Sequence, residues 1–196
     1  MALATSGHMH LRARFARLAI VVLLAACGGC DADEPAPEDT GTDAGPPPID
    51  ETEAVFDPNR VLEIDIDMAV GDWDALRRQA RSILDVLGSS CLEPPVKPYD
   101  YFPATITIDG EVVDQVGVRK KGFFGSLSSS KPSLKVKFSK YVKGQRFSGL
   151  KRMTLNNAIS DASYVKQCIG YDLFAKAGLP SPRCGFAKVS VNGESL

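Results

Sequence analysis

Between Asp31 and Glu53 the chain carries nine acids and five prolines, and not one Lys or Arg. Such a segment has little apolar surface to bury and repels itself, so it reads as a disordered, extended spacer outside any packed core. Whatever folds must lie on its C-terminal side, in about 140 residues, enough for one domain. A calcium-binding reading of these acids fails because the Gly and Asp spacing of a coordination loop is missing.

The residues before the spacer read as an address. Arg12, Arg14 and Arg17 precede nine apolar residues, 18–26. A bilayer crossing needs about 20 such residues, so this pattern is an export-signal core and not a membrane span. Leu24-Ala25-Ala26-Cys27 resembles the bacterial lipoprotein cleavage box, with Cys27 as the thiol that receives the lipid. Three parts are therefore expected: a lipoprotein signal peptide at 1–26, an acidic Pro-rich tether at 27–54 and a folded domain at 55–196. The expected location is exported and membrane-bound through lipid on Cys27, at the outer membrane or cell surface, because Gly28 and not Asp follows the cysteine. A redox reading of Cys27-Gly28-Gly29-Cys30 is weaker, since that motif belongs at a strand-to-helix junction and here abuts an apolar leader.

The division changes the electrostatics. The whole chain has a net charge of −1, but residues 54–196 hold 20 basic and 15 acidic groups, a net +5. Between Asp114 and Asp161 there is no acid at all. That window contains Arg119, Lys120, Lys121, Lys131, Lys135, Lys137, Lys140, Lys143, Arg146, Lys151 and Arg152. Solvated faces normally mix signs, so eleven cations without a counter-charge point to an anionic partner. Nucleic acid is not expected as that partner, given the export signal and the lack of basic–aromatic interleaving.

Both histidines, His8 and His10, lie in the leader. This excludes Ser-His-Asp and Cys-His catalysis and the common zinc sites from the mature domain. Cys30, Cys91, Cys168 and Cys184 are too widely spaced for a metal motif. Their pairing stays open among three full connectivities.

Hydrophobic periodicity predicts the elements. Leu62, Ile64, Ile66 and Met68 alternate with Glu63, Asp65 and Asp67, a half-buried strand. Asp72 is the expected cap of a helix with Trp73 as core anchor, continuing through Leu76, Ala80, Ile83, Leu84 and Leu87 to Gly88. Residues 89–101 form an irregular, proline-containing connection. Strands 104–108 and 112–119 flank Asp109-Gly110, a hairpin signal. A further strand sets Leu134, Val136 and Phe138 against Ser133, Lys135 and Lys137. Strand 151–155 ends in Asn156-Asn157, Asp161 or Ser163 caps a helix that runs to about Ala177, and strand 186–191 reaches Asn192-Gly193. Only three residues follow, too few for a returning strand, so the chain is expected to stop within its fold.

The Gly- and Ser-rich stretch 122–130 between two basic strands is the chemical focus. Phosphate is held by backbone N–H groups that can approach closely, by hydroxyl donors and by fixed cations. Gly122 and Gly125 remove side chains, Ser126 and its neighbours donate, and Arg119, Lys121 and Lys135 supply charge. The stretch matches neither common nucleotide-loop motif.

These blocks resemble the spore-coat H (CotH) kinase family. VLEIDIDMAVGDWDAL (61–76) is similar to the family's first strand and helix, VGVRKKG (116–122) to its V-x-x-R-x-[RK]-G segment, and KPSLKVKF (131–138) to its basic strand. Residues 150–194 follow the family pattern almost continuously, through Leu-Asn-Asn, Asp-x-Ser, the helix, Gly-x-Pro-x-Pro-Arg and Val-Asn-Gly. The resemblance implies an α+β fold: an atypical protein-kinase-like smaller lobe of antiparallel strands and packed helices, truncated before the C-terminal lobe. It implies ATP with Mg²⁺, and transfer of the γ-phosphoryl to Ser or Thr of exported or surface proteins by the intact protein. Lys135 matches the strand lysine that pairs the phosphates, and Arg119 and Gly122 match the phosphate-covering loop. Asp172 stands where the family often has the Glu that pairs with that lysine. Phe123-Phe124-Gly125 departs from the family's Asn-Ser-Ser. No catalytic or metal-binding acid is expected within these residues, since the family carries them on the larger lobe. The alternative is a non-catalytic surface lipoprotein that grips an anionic polymer or protein partner.

Overall fold

The computed structural model of the chain describes residues 2–5, 50–81, 99–123 and 126–196. Cys27, Cys30, Cys91 and most of the predicted leader and tether lie outside them. So do the C-terminal part of the predicted first helix and the proline-containing connection.

The described residues form one mixed sheet with two α-helices. The strands are β1 (Ala2–Thr5), β2 (Val61–Asp67), β3 (Phe102–Ile108), β4 (Glu111–Lys121), β5 (Ser133–Lys137), β6 (Arg152–Asn156), β7 (Arg183–Val191) and β8 (Glu194–Ser195). Their order is β1-β6-β5-β4-β3-β2-β7-β8, and β1 also pairs with β7, so the first seven strands close on themselves. Neighbours are antiparallel except β2 and β7, which run parallel and make the sheet mixed where antiparallel strands were expected. The alternation read in β2 is realised: Leu62, Ile64 and Ile66 are buried and the residues between them exposed. They join Ile106, Ile108, Val116, Val118, Leu134, Val136, Phe138 and Leu155 inside the ring.

Asp109 (φ 48°) and Gly110 (φ 87°) form the expected tight turn between β3 and β4, both in the left-handed region such a turn requires. Asn192 (φ 50°) and Gly193 (φ 80°) do the same after β7. Contrary to expectation, the three residues that follow suffice for a return. β8 pairs with Ser190 and Val191, and the Leu196 amide donates to the Val189 carbonyl at 2.9 Å.

Helix α1 (Val70–Arg78) begins two residues before Asp72 and has no side-chain cap, so Asp72 lies in its first turn. The helix ends before Ala80. Leu76, fully buried, is its core anchor, while Trp73 packs only partly against the core. The buried Lys120 of β4 donates from Nζ to the Arg77 carbonyl at 2.6 Å, which satisfies a carbonyl that the helix end leaves free.

The tether boundary also shifts. Asp50 forms an ion pair with Arg183 at 2.6 Å, a 3₁₀ turn covers Glu53–Phe56, and Val55 and Phe56 are buried. Residues from Asp50 onward thus belong to the folded part.

Helix α2 (Lys166–Lys176) is followed by Gly178 at φ 74°, the expected stop. Neither Asp161 nor Ser163 is its N-cap: that position is Val165, without a side-chain cap, while the Asp161 carboxylate further back accepts the Lys166 amide at 2.9 Å and the Ser163 amide at 3.1 Å. These bonds, led by that from the Ser163 hydroxyl, hold its pKa below the usual carboxylate value. Cys168 on α2 is bridged to Cys184 on β7, with Cα atoms 5.3 Å apart.

Candidate phosphate-binding face

A β-bulge decides which side chains of β4 face outward. Ala104 pairs with Val116 but Ile106 pairs with Val113, so β4 holds one extra residue there, with Gln115 at φ 54°. One extra residue reverses the alternation. Val116, Val118 and Lys120 therefore point inward, and Arg119 and Lys121 take the outer face.

On that face the register places Arg119 opposite Lys135 and Lys135 opposite Thr154. Lys121 is opposite Ser133, and Lys137 stands between Gly117 and Arg152. Like charges directly opposed across strands are destabilising, by a few tenths of a kcal/mol up to about 1. Here this occurs twice, at Arg119–Lys135 and at Lys137–Arg152. Among the described residues none of the eleven cations of the acid-free window has an ion pair within 4.0 Å. Arg60, Arg77, Arg78, Lys166, Lys176, Arg183 and Lys188, all outside the window, each have one. Tyr101 takes part of the load: its ring lies 5.4 Å from the Arg119 guanidinium carbon and 5.3 Å from the Lys140 ammonium. Arg119 Nε is buried without a hydrogen-bond partner.

At one end the face runs into a cleft of about 290 Å³, whose lining includes Lys121, Ser126, Asn156, Asn157, Lys166 and Gln167. Lys121 Nζ donates to Asn156 Oδ1 at 2.6 Å, Asn156 Nδ2 to Gln167 Oε1 at 2.8 Å, and Gln167 Nε2 to the Tyr171 hydroxyl at 2.7 Å. A polar chain thus joins β4, β6 and α2. Burial, and then the charges of Lys135 and Arg119, lower the Lys121 pKa from its ordinary value.

Phe124 and Gly125 of the Gly/Ser stretch lie outside the described residues; its part from Ser126 onward is held by Asn157, which is 3% exposed. Its Nδ2 donates to the Ser126 carbonyl at 3.1 Å and to the Lys131 carbonyl at 2.8 Å, and its amide donates to Ser133 Oγ at 3.0 Å. Gly122 has φ 135°, and a Cβ there would lie 2.8 Å from Ser126 Oγ. Tyr99, buried beneath, donates to the Gly122 carbonyl at 2.6 Å. Ser126 Oγ accepts the Phe123 amide at 3.1 Å, so part of its capacity is spent closing the loop.

The structure therefore brings Arg119, Lys121, Gly122, Ser126 and Lys135 together around one face and its cleft. It does not bring Asp172 to them. Asp172 is 61% exposed and pairs with Lys176 one turn on, at 2.7 Å. The helix instead reaches the basic strands through Gln167 and Asn156, two uncharged residues that charge patterning passes over. The Asn156-Asn157 pair at the end of β6 was visible as a family block. The division of labour between its two amides was not.

The face suits phosphate: several fixed cations, hydroxyls and amide donors, and one half-buried lysine beside a cleft. Among the described residues no three His, Cys, Asp or Glu side chains converge as a metal site. The donor set suits phosphate groups, and the carboxylate that also lines the cleft, Asp161, is held by Ser163 and Lys166.

No curated protein matches the chain at a significant level. The family model described as CotH kinase protein matches residues 118–196, which leaves the similar-looking block at 61–76 outside the match. Residues 118–196, which carry the basic face and its cleft, are thus similar to the CotH kinase protein model, and most of the blocks that carry the sequence resemblance fall within that match.

Proposed function

We propose that this face binds the phosphates of ATP, as part of a CotH-type protein kinase that phosphorylates Ser or Thr of exported or surface proteins. The observation that carries the reading is the set of eleven cations left without an acid, while the described cations outside the window, Arg81 apart, are paired. A folded chain keeps opposed like charges most readily where an anion neutralises them.

Arg119 and Lys135 lie side by side to take non-bridging phosphate oxygens, and Lys121 reaches the same anion from the cleft. The loop closed by Gly122 and Ser126 covers the phosphates. Mg²⁺, when bound to the nucleotide, neutralises charge that develops on the transferred group. The leader supports an exported protein tethered to a membrane through Cys27.

ATP should raise the melting temperature of the full chain, and Lys135→Ala with Arg119→Gln should abolish the shift. An unchanged shift in that double variant would sink the reading. The second reading, a non-catalytic binder of an anionic polymer, draws on the opposed pair Lys137–Arg152, two register steps beyond Lys135 and Thr154 on the same face. It predicts stabilisation by long-chain polyphosphate and none by ATP.

A further inference from the structure

Helix α2 has no buried side chain. It turns Gln167, Cys168, Gly170 and Tyr171 toward the sheet, half-buried, and leaves Ile169, Leu173 and Phe174 at 60%, 64% and 52% exposure. Hydrophobic burial, the usual source of helix docking, is thus weak on its inner side. Two adjacent residues make specific links to different strands. Cys168 is bonded covalently to Cys184 on β7, and Gln167 accepts from Asn156 on β6. Asn156 in turn is the acceptor for Lys121.

We propose that Asn156 and Gln167 are positioning residues for Lys121, and that the Cys168–Cys184 bridge holds α2 where Gln167 meets Asn156. Phosphate binding then depends on a disulfide that does not touch the phosphate. The inference rests on the nucleotide reading above for its ligand and on the polar chain for its mechanism. An uncharged link suits this site. An acid on the helix would partly neutralise Lys121 in the empty protein, whereas Asn156 holds the amine and leaves its charge for the anion. Reduction by a dithiol breaks the Sγ–Sγ bond, the two sulfurs leave as thiols with two protons, and the dithiol closes to its own disulfide. With the bridge open, Gln167 loses its fixed position and Lys121 gains rotamer freedom.

The test uses the full chain, oxidised and reduced, with ATP and inorganic tripolyphosphate as probes. Reduction, Cys168→Ser with Cys184→Ser, and Gln167→Leu should each weaken binding at least about fivefold, the lower range of coupling between linked sites. Reducing Gln167→Leu should add little more. Gln167→Glu, which can still accept from Asn156 but sets an acid near Lys121, should weaken binding yet keep its sensitivity to reduction, which Gln167→Leu should lose. Affinity indifferent to reduction and to Gln167→Leu would overturn the proposal. Amide exchange separates its failure from that of the nucleotide reading. If neither probe binds the oxidised chain, the nucleotide reading fails. The coupling then stands if reduction speeds exchange at 154–156 and 121 together with α2, and falls if only α2 responds.

Discussion

Arg119 and Lys135 stand directly opposite one another on β4 and β5, both on the outer face, and neither has an acid within ion-pair distance among the described residues. Removing one charge relieves the repulsion. Lys135→Gln should therefore leave the empty protein as stable as before, or more stable by up to about 0.5 kcal/mol. The same change should weaken ATP about tenfold, equivalent to about 1.4 kcal/mol. Urea unfolding and calorimetric titration of the one variant measure both. A loss of stability with unaltered binding would show the pair to be structural.

Lys121 contributes to the pH dependence, beside Lys120, whose pKa burial also lowers. The Lys121 pKa lies below the ordinary 10.5, first through burial and then through Lys135 and Arg119. Between the lowered value and 10.5 the unfolded chain binds more protons, so this group's contribution to stability rises with pH across that window. A bound anion favours the charged amine, so binding takes up a proton there and affinity falls as pH climbs through the lowered value. Titration in two buffers of different ionisation enthalpy should reveal that uptake, and Lys121→Gln should remove it.

Asn157 supports two loop carbonyls with one side-chain amide. Asn157→Leu leaves both without their donor in a buried setting, which costs about 2–4 kcal/mol. The urea midpoint should drop accordingly, and amides 126–131 should exchange faster than the sheet. A variant that loses stability evenly across the domain would argue against a clamp.

Gly122 sits at φ 135° with Ser126 Oγ and the Ser126 carbonyl at 2.8 and 3.0 Å from where a Cβ would be. Gly122→Ala must open that contact or shift the backbone, at a cost of about 1–3 kcal/mol. Gly110→Ala, where no atom lies within 4 Å of the added carbon, meets only backbone strain. The comparison of the two separates crowding from φ.

Local pattern was a good guide wherever one residue's neighbours in sequence are also its neighbours in space. The alternation of Leu62, Ile64 and Ile66, the Asp109-Gly110 turn, the stop at Gly178 and the acid-free run of cations are all of this kind. Trp73 shows the limit. Its size marked it as an anchor, yet Leu76 fills the core because the packing of α1 against β4 sets which side of the helix faces in.

By itself the sequence determined strands β2 to β7, the turns at Asp109-Gly110 and Asn192-Gly193, the charge excess and the residue types a phosphate site needs, because these follow from backbone preference and composition, whereas β1 and β8 were not legible in it. Only the tertiary structure decided where that charge points. The extra residue at Gln115 turned Arg119 and Lys121 outward, since a strand's period of two lets one insertion exchange its faces. Long-range register set Lys135 beside Arg119 and brought Asn156 between Lys121 and Gln167, while Asp172 was carried to the solvent side of α2. Such contacts join residues separated by many positions, and no local rule encodes them.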